Sequence, residues 1–135
     1  MFSHDTHIRV RYAETDPMGY LYYGNYPVYY EVGRAEAMRS IGLPYTEFEL
    51  VHGIMMPVMS MTMRYVRPAH YDDLLTVRAM LRHLPSDTVT FYMEIYNEKK
   101  KLVNGGSVKL CFVDMKTRRP VPPPEFVLEK LRPFF

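Results

Sequence analysis

The sequence predicts an α+β fold in which a curved antiparallel sheet wraps around one long central helix. One segment, from about Tyr23 to Ile41, repeats its apolar residues at helical spacing, whereas five other segments alternate apolar and polar residues as strands do. The last four of these strands follow one another through short turns, which favours antiparallel pairing. A single helix with one apolar face must then be covered by the sheet.

The first two elements lead into this helix. His7 to Tyr12 alternates, and we expect a half-buried strand with Ile8, Val10 and Tyr12 on its inner face. The next stretch cannot be helical at its start, because Asp16 precedes a proline and Gly19 can adopt a positive φ. A tight turn is therefore predicted between the first strand and the helix.

The long helix is predicted from the spacing of its aromatic and small residues, and it ends at Gly42 and Pro44. The face expected to be buried comprises Tyr26, Tyr29, Tyr30, Gly33, Ala37 and Ile41. Glu31 and Arg34 lie three residues apart, and a structural ion pair is the favoured interpretation. A short second helix follows at 44–51, with Tyr45, Phe48 and Val51 expected to face inward.

Four strands complete the predicted sheet. The first runs from Ile54 to Val66 with Met59, Met61, Met63 and Tyr65 on one face, and Pro57 marks an edge, a bulge or a ligand's path. Strands at about 75–82, 89–96 and 102–114 follow, each with regular alternation. Gly105 and Gly106 suggest a bulge or the close approach of another backbone, for which the central helix is the first candidate.

The chain as a whole, residues 1–135, is predicted to form one domain, ending in a proline-rich segment and a short tail helix within 120–135. The N-terminus does not resemble a signal peptide, no apolar run reaches membrane length, and Cys111 is the single cysteine. These features favour a soluble protein of the cytoplasm. The net charge of +2 gives no reason to expect a nucleic acid or a membrane as partner.

The turn and the helix start together indicate chemistry on a carbonyl group. Asp16 alone could simply form a turn, and the tyrosine-rich helix face could simply be core. In sequence order, however, a carboxylate, a glycine turn and a helix start fall within about ten positions. The free amides around Tyr23 to Asn25 can donate to a developing oxyanion, and a facing carboxylate can attack or activate water.

The sequence also resembles the hotdog-fold acyl-CoA thioesterases, in the 4-hydroxybenzoyl-CoA thioesterase-like branch. The resemblance covers most of the chain from about residue 6 to residue 120. It lies in D-P-M-G-Y-L-Y-Y-G-N-Y at 16–26, Y-Y-E-V-G-R at 29–34, G-I-M-M-P-V at 53–58, Y-V-R-P-A at 65–69 and D-x-x-T-x-R-P at 114–120. Many members carry histidine where this sequence has Tyr23.

The resemblance implies a hotdog fold with five strands and a thioesterase acting on a short-chain, medium-chain or aromatic acyl-CoA. Asp16 would act as nucleophile or general base, and the backbone amide of Tyr23 would polarise the carbonyl. Substrate contacts are expected from Gly19, Gly24, Asn25, Met56, Pro57, Arg67, Lys99 and Lys100. No metal and no cofactor is expected, apart from the coenzyme A that belongs to the substrate.

Three other functions fit parts of the same pattern. A non-catalytic module that binds acyl-CoA or an acyl-carrier protein would keep the groove but would not need Asp16. A hotdog hydratase would need a histidine near the helix start, and none lies between His7 and His52. Open strand edges favour pairing with a second copy, so a homodimer or homotetramer is expected. A purely structural dimerisation domain would leave the Asp16 turn unexplained.

Overall fold

The computed structural model describes all 135 residues, and its elements follow the predicted order. The strands are β1 (Phe2–Arg9), β2 (Ile54–Met55), β3 (Val58–Tyr65), β4 (Leu74–Leu81), β5 (Thr88–Tyr96), β6 (Leu102–Asp114) and β7 (Pro120–Val121). The helices are α1 (Tyr26–Ser40), α2 (Tyr45–Leu50) and α3 (Glu125–Leu131). Single 3₁₀ turns occupy Tyr12–Glu14, Tyr23–Asn25 and Arg132–Phe134.

Every strand pairing in the sheet is antiparallel. The five long strands lie in the order β1, β4, β5, β6, β3, and the two-residue strands β2 and β7 also pair with β6. β1 pairs only with β4, and β3 pairs only with β6. These two strands therefore form the edges of the sheet.

Helix α1 packs against the apolar face of this sheet. All the residues predicted for its inner face are buried except Ile41, which is half-buried. The alternating apolar residues of β4 and β5 are buried opposite it. At Gly33, an added Cβ would lie 2.7 Å from Val77 and 3.1 Å from Met93, so the helix backbone closely approaches the centre of the sheet. The predicted hotdog architecture is confirmed.

Two side chains predicted to face inward are exposed. β1 ends at Arg9, and Tyr12 instead opens a 3₁₀ turn closed by hydrogen bonds between Arg11 and Glu14, which leaves the Tyr12 side chain 77% exposed. Val51 follows the last residue of α2 and is 70% exposed. Both lie just beyond the end of a regular element, where the period that predicted their direction no longer applies.

The predicted strand at 54–66 is interrupted at Met56 and Pro57, so that β2 and β3 pair with different parts of β6. The backbone that approaches the glycine pair belongs to β3 and not to the helix: a Cβ on Gly106 would lie 2.0 Å from the carbonyl oxygen of Thr62.

No ion pair joins Glu31 to Arg34, contrary to the sequence interpretation. None of the helices has the length and apolar character needed to cross a membrane.

Candidate active site

The Asp16 turn is closed by its own hydrogen bonds. The carboxylate Oδ1 of Asp16 accepts hydrogen bonds from the amides of Met18 (2.9 Å) and Tyr20 (3.1 Å). The amide of Asp16 donates to the carbonyl of Tyr20 at 2.8 Å, and Gly19 turns the chain with a φ of +79°. Both of these bonds go to Oδ1, and the second carboxylate oxygen, Oδ2, accepts none from the protein.

The start of the long helix presents free amides, as the sequence predicts. The chain enters through the 3₁₀ turn at Tyr23–Asn25, in which the amide of Asn25 donates to the carbonyl of Tyr22. The amide of Tyr22 donates to the carbonyl of Glu14. The amides of Tyr23 and Gly24 have no partner within the helix, and the positive end of the helix dipole lies behind them.

One groove, of about 330 Å³, contains both features. Asp16 and Tyr23 line it together with Arg67, and Tyr26 and Tyr65 give it an aromatic wall, with ring centroids 5.5 Å apart. The remaining lining residues are Met18, Tyr20, Leu21, Val66 and Pro68. A carboxylate, an arginine and a helix start thus meet in one apolar groove.

The other predicted substrate contacts lie elsewhere or make different contacts. Met56 lines a separate pocket with Arg34 and Tyr45, and Pro57 lines neither that pocket nor the Asp16 groove. Lys100 lines a third groove, and the exposed Lys99 does not line the Asp16 groove.

Glycine and asparagine candidates near the helix start have defined local roles. A Cβ on Gly24 would lie 2.6 Å from the ring of Tyr22, so a larger residue there would displace that ring. The side chain of Asn25 donates to the carbonyl of Glu14 at 2.9 Å. Asn25 is therefore engaged with the protein itself.

The outer face of the sheet carries a wider concavity of about 440 Å³, lined by residues that include Arg64, Arg82 and Glu94. None of its lining residues belongs to a helix start. The Asp16 groove is smaller, but it combines the Asp16 carboxylate with Tyr23, whose amide has no helical partner. We therefore take the Asp16 groove as the candidate active site.

Glu14, next to the Asp16 turn, is a residue that the sequence analysis did not single out. It is the only charged residue that is buried, with 8% exposure, and it stands two positions before Asp16. Its Oε1 accepts a hydrogen bond from the Tyr29 hydroxyl at 2.8 Å, and its Oε2 lies 3.1 Å from the guanidinium of Arg11. The signal available in the sequence was an acidic residue between an apolar strand and the Asp16 turn, but its partner on the helix is 15 residues away.

The pKa values around Glu14 follow from these contacts. Burial raises the pKa of the Glu14 carboxyl, but the hydrogen bonds from Arg11 and Tyr29 outweigh burial and hold that pKa below its ordinary value. The pKa of Tyr29 is raised, first by burial and then by its bond to Glu14. Glu14 is thus an ionised carboxylate, and Tyr29 a neutral hydroxyl donor. Burial also raises the pKa of Tyr26, in the groove wall, to about 12.

This arrangement can polarise a carbonyl group and bring a carboxylate to it. An oxygen near the amides of Tyr23 and Gly24 would accept hydrogen bonds that strengthen as negative charge develops. The carboxylate of Asp16 can supply either a nucleophile or a base for water. The geometry therefore suits attack on an ester or thioester carbonyl.

Comparisons with known proteins agree with this chemistry. The model of a family described as the thioesterase-like superfamily matches residues 10–131. YneP of Bacillus subtilis, provisionally named an acyl-CoA thioesterase, is 33% identical over 115 residues, which cover 84% of this chain and 82% of YneP. The acyl-CoA thioester hydrolase YbgC of Escherichia coli is 26% identical over 125 residues, covering 93% of this chain and 92% of YbgC.

A solved structure gives the same result at the level of the fold. The crystal structure of a DHNA-CoA thioesterase from Staphylococcus aureus has a TM-score of 0.89 and 29% sequence identity, and it covers 99% of this chain and 89% of that protein. The family match includes the Asp16 turn, the start of α1 and all the long strands except β1. The chain therefore belongs to the thioesterase-like superfamily.

Proposed function

We propose that this protein hydrolyses the thioester bond of acyl-CoA substrates to a free acid and coenzyme A. The observation that carries the proposal is that the Asp16 carboxylate shares one groove with the start of α1, where the amides of Tyr23 and Gly24 have no helical partner. The names of the relatives in Bacillus subtilis and Escherichia coli support acyl-CoA as the substrate class.

In the proposed reaction, the thioester carbonyl oxygen lies against the amide of Tyr23. Asp16 either attacks the carbonyl carbon, giving an anhydride that water then cleaves, or removes a proton from an attacking water. In both routes the carbon–sulfur bond breaks, the sulfur leaves as the thiolate of coenzyme A and is then protonated, and the elements of water end up on the acid and the thiol. No metal and no further cofactor is required by this scheme.

Coenzyme A carries phosphates, and Arg67 is the basic residue in the groove that could bind them. Lys99 and Lys100 are a second basic candidate, at the turn after β5. Charge reversal of the group that binds the nucleotide should raise KM and leave kcat largely unchanged. Comparing Arg67→Glu with a Lys99→Glu, Lys100→Glu double variant identifies which group binds, and a loss confined to kcat would contradict both assignments.

The acyl group belongs to one of three classes: short-chain, medium-chain or aromatic acids. The tyrosines that line the groove favour an aromatic acyl group, because stacked rings gain energy beyond the apolar area they bury. We further infer that residues 1–135 act as one domain, as a homodimer or homotetramer. A cytoplasmic location is inferred from the single cysteine.

The proposal is tested by release of free thiol from a panel of acyl-CoAs, with wild-type protein and Asp16→Asn. Removal of a general base costs about 10²- to 10⁴-fold, and removal of a nucleophile costs more, so the size of the loss also bears on the mechanism. Asp114→Asn is a matched control. Asp114 closes a similar turn outside the groove, where its carboxylate accepts hydrogen bonds from the amides of Lys116 and Thr117. That variant should retain wild-type turnover.

Two results would contradict the proposal. Near-wild-type turnover by Asp16→Asn would remove Asp16 from the mechanism. Tight binding of acyl-CoA by the wild-type protein without any thiol release would instead assign it as a non-catalytic module for acyl-CoA or an acyl-carrier protein.

A further inference from the structure

The main-chain carbonyl of Glu14 connects the Asp16 turn to the start of the helix. The carbonyl oxygen of Glu14 accepts two hydrogen bonds, from the amide of Tyr22 and from the side-chain amide of Asn25, both at 2.9 Å. Tyr22 and Asn25 immediately flank the two free amides of Tyr23 and Gly24. Asp16 follows Glu14 by two residues in the chain.

The side chain of Glu14 makes the same connection a second time. Its carboxylate accepts a hydrogen bond from the hydroxyl of Tyr29. Tyr29 lies one helical turn beyond Asn25 and is 1% exposed. Asn25 and Tyr29 therefore face Glu14 from one side of the helix, one to its main chain and one to its side chain. The amide of Arg11 also donates to Oε1 and fixes the carboxylate from the strand side.

We propose that Glu14 is a positioning residue, which with Asn25 and Tyr29 holds the Asp16 carboxylate at a fixed distance from the amides of Tyr23 and Gly24. The three residues Glu14, Asn25 and Tyr29 are called the brace below. The inference rests on the proposed thioesterase function and adds to it three residues that act through others. Glu14 and Tyr29 do not line the groove, so their effect must pass through the placement of Asp16 and the helix start.

The consequence is a loss of turnover without a matching loss of substrate binding. A displacement of about 1 Å between reacting groups can cost on the order of 10²-fold in rate. The groove wall formed by Tyr65 and Arg67 belongs to a different part of the chain and does not depend on Glu14. Weakening the Glu14 contacts should therefore lower kcat about 10- to 100-fold and change KM little.

The test compares four variants by steady-state kinetics on the best acyl-CoA. Tyr29→Phe removes only the hydroxyl, Glu14→Leu removes the carboxylate, and Asn25→Ala removes the bond to the Glu14 carbonyl. All three should lose kcat. Glu14→Gln keeps an oxygen for Tyr29 and should recover most of the activity lost in Glu14→Leu. If Asn25→Ala raises KM instead, Asn25 binds substrate and is not part of the brace.

Tyr45→Phe is the matched control for the loss of a tyrosine hydroxyl. The Tyr45 hydroxyl donates to the carbonyl of Met56 at 2.9 Å, next to a separate pocket. If Glu14 has a purely structural role, Tyr29→Phe and Tyr45→Phe should lower thermal stability by similar amounts, and neither should change kcat at 25 °C. Unchanged kcat in Tyr29→Phe and in Glu14→Leu would overturn the proposal.

Amide hydrogen exchange makes the test independent of turnover. Peptides that cover residues 15–25 should exchange faster in Tyr29→Phe and Asn25→Ala than in wild type, and Tyr45→Phe should leave them unchanged. Absence of this local increase would refute the brace, whether or not the protein proves to be a thioesterase. If the two variants exchange faster but the wild-type protein hydrolyses no acyl-CoA, the proposed function is refuted and the brace is retained.

Discussion

At the scale of single residues, the proposed function assigns the main-chain amide of Tyr23, and not its phenol, as the functional group. The side chain is 62% exposed and packs against the rings of Tyr22 and Tyr65. Because the residue lines the groove, the contribution of the phenol has to be separated from that of the amide. Two substitutions at Tyr23 separate the amide from the side chain.

Tyr23→Phe keeps the amide and should lower kcat less than about tenfold, which corresponds to less than about 1.4 kcal/mol in the barrier. Tyr23→Pro removes the N–H and should cost about 10²- to 10³-fold, as is typical for one oxyanion donor. Proline is acceptable in the first turn of a helix, and Tyr22 before it already has extended dihedral angles (φ −60°, ψ 132°). Equal losses in both variants, measured by thiol release, would show that the phenol acts.

A second prediction at this scale concerns Glu14 and pH. Because the folded state lowers the pKa of Glu14, its ionised carboxylate contributes stability that is fully present above the ordinary value of 4.5 and is lost as pH falls through the folded-state pKa. Denaturant midpoints measured from pH 7 to pH 3 should therefore fall at the acidic end. Glu14→Gln should show a shallower fall over the same range.

Asp5, Asp114 and Glu125 also have lowered pKa values, so the wild-type curve alone does not isolate Glu14. The informative quantity is the difference between the two proteins. If wild type and Glu14→Gln differ by the same free energy of unfolding at every pH, the assigned direction of the Glu14 pKa shift is wrong.

At the scale of elements, the close contact of α1 with the sheet depends on Gly33. Alanine would gain about 1 kcal/mol of helix propensity, but its Cβ would lie 2.7 Å from Val77 Cγ1. Overpacking of this kind costs about 1–3 kcal/mol. We expect Gly33→Ala to be net destabilising in urea denaturation. Gly33→Ala combined with Val77→Ala should be more stable than the sum of the single changes predicts, because the smaller side chain leaves room. Strict additivity would contradict the contact.

The elements also show what a sequence can predict. The strands β4 and β5 and the helix α1 were predicted within a few residues, because each follows one period along its whole length. An edge or a bulge at Pro57 was among the predicted possibilities, but the division of 54–66 into β2 and β3 was not predicted, because it arises from pairing with two parts of β6. The sequence predicted that Asp16 and Tyr23 lie together, and they line one groove, because they are only seven residues apart. The bond of Glu14 to Tyr29 joins different elements and leaves no local pattern.

At the scale of the whole molecule, β3 is the open edge of the sheet closest to the candidate active site. Its end, at Tyr65, forms part of the groove wall, and its start carries the exposed apolar residues Val58 and Met59. An exposed apolar edge strand is a template for pairing, which proteins normally block with charge or cover. Pairing of β3 with the same strand of a second copy would be self-complementary and would give a closed twofold dimer.

The last prediction tests this assembly together with its effect on activity. The chain mass is 16.0 kDa, so light scattering at micromolar concentration should give at least about twice that value. Met59→Lys places a charge on the apolar edge, where Met59 is 55% exposed, and should shift the protein toward the monomer. Since the groove reaches the same strand, turnover should fall with the dimer fraction and recover at higher protein concentration. Leu84→Lys, in the turn between β4 and β5, is the control and should change neither. A wild-type mass near 16 kDa with full activity would place the complete active site within one chain.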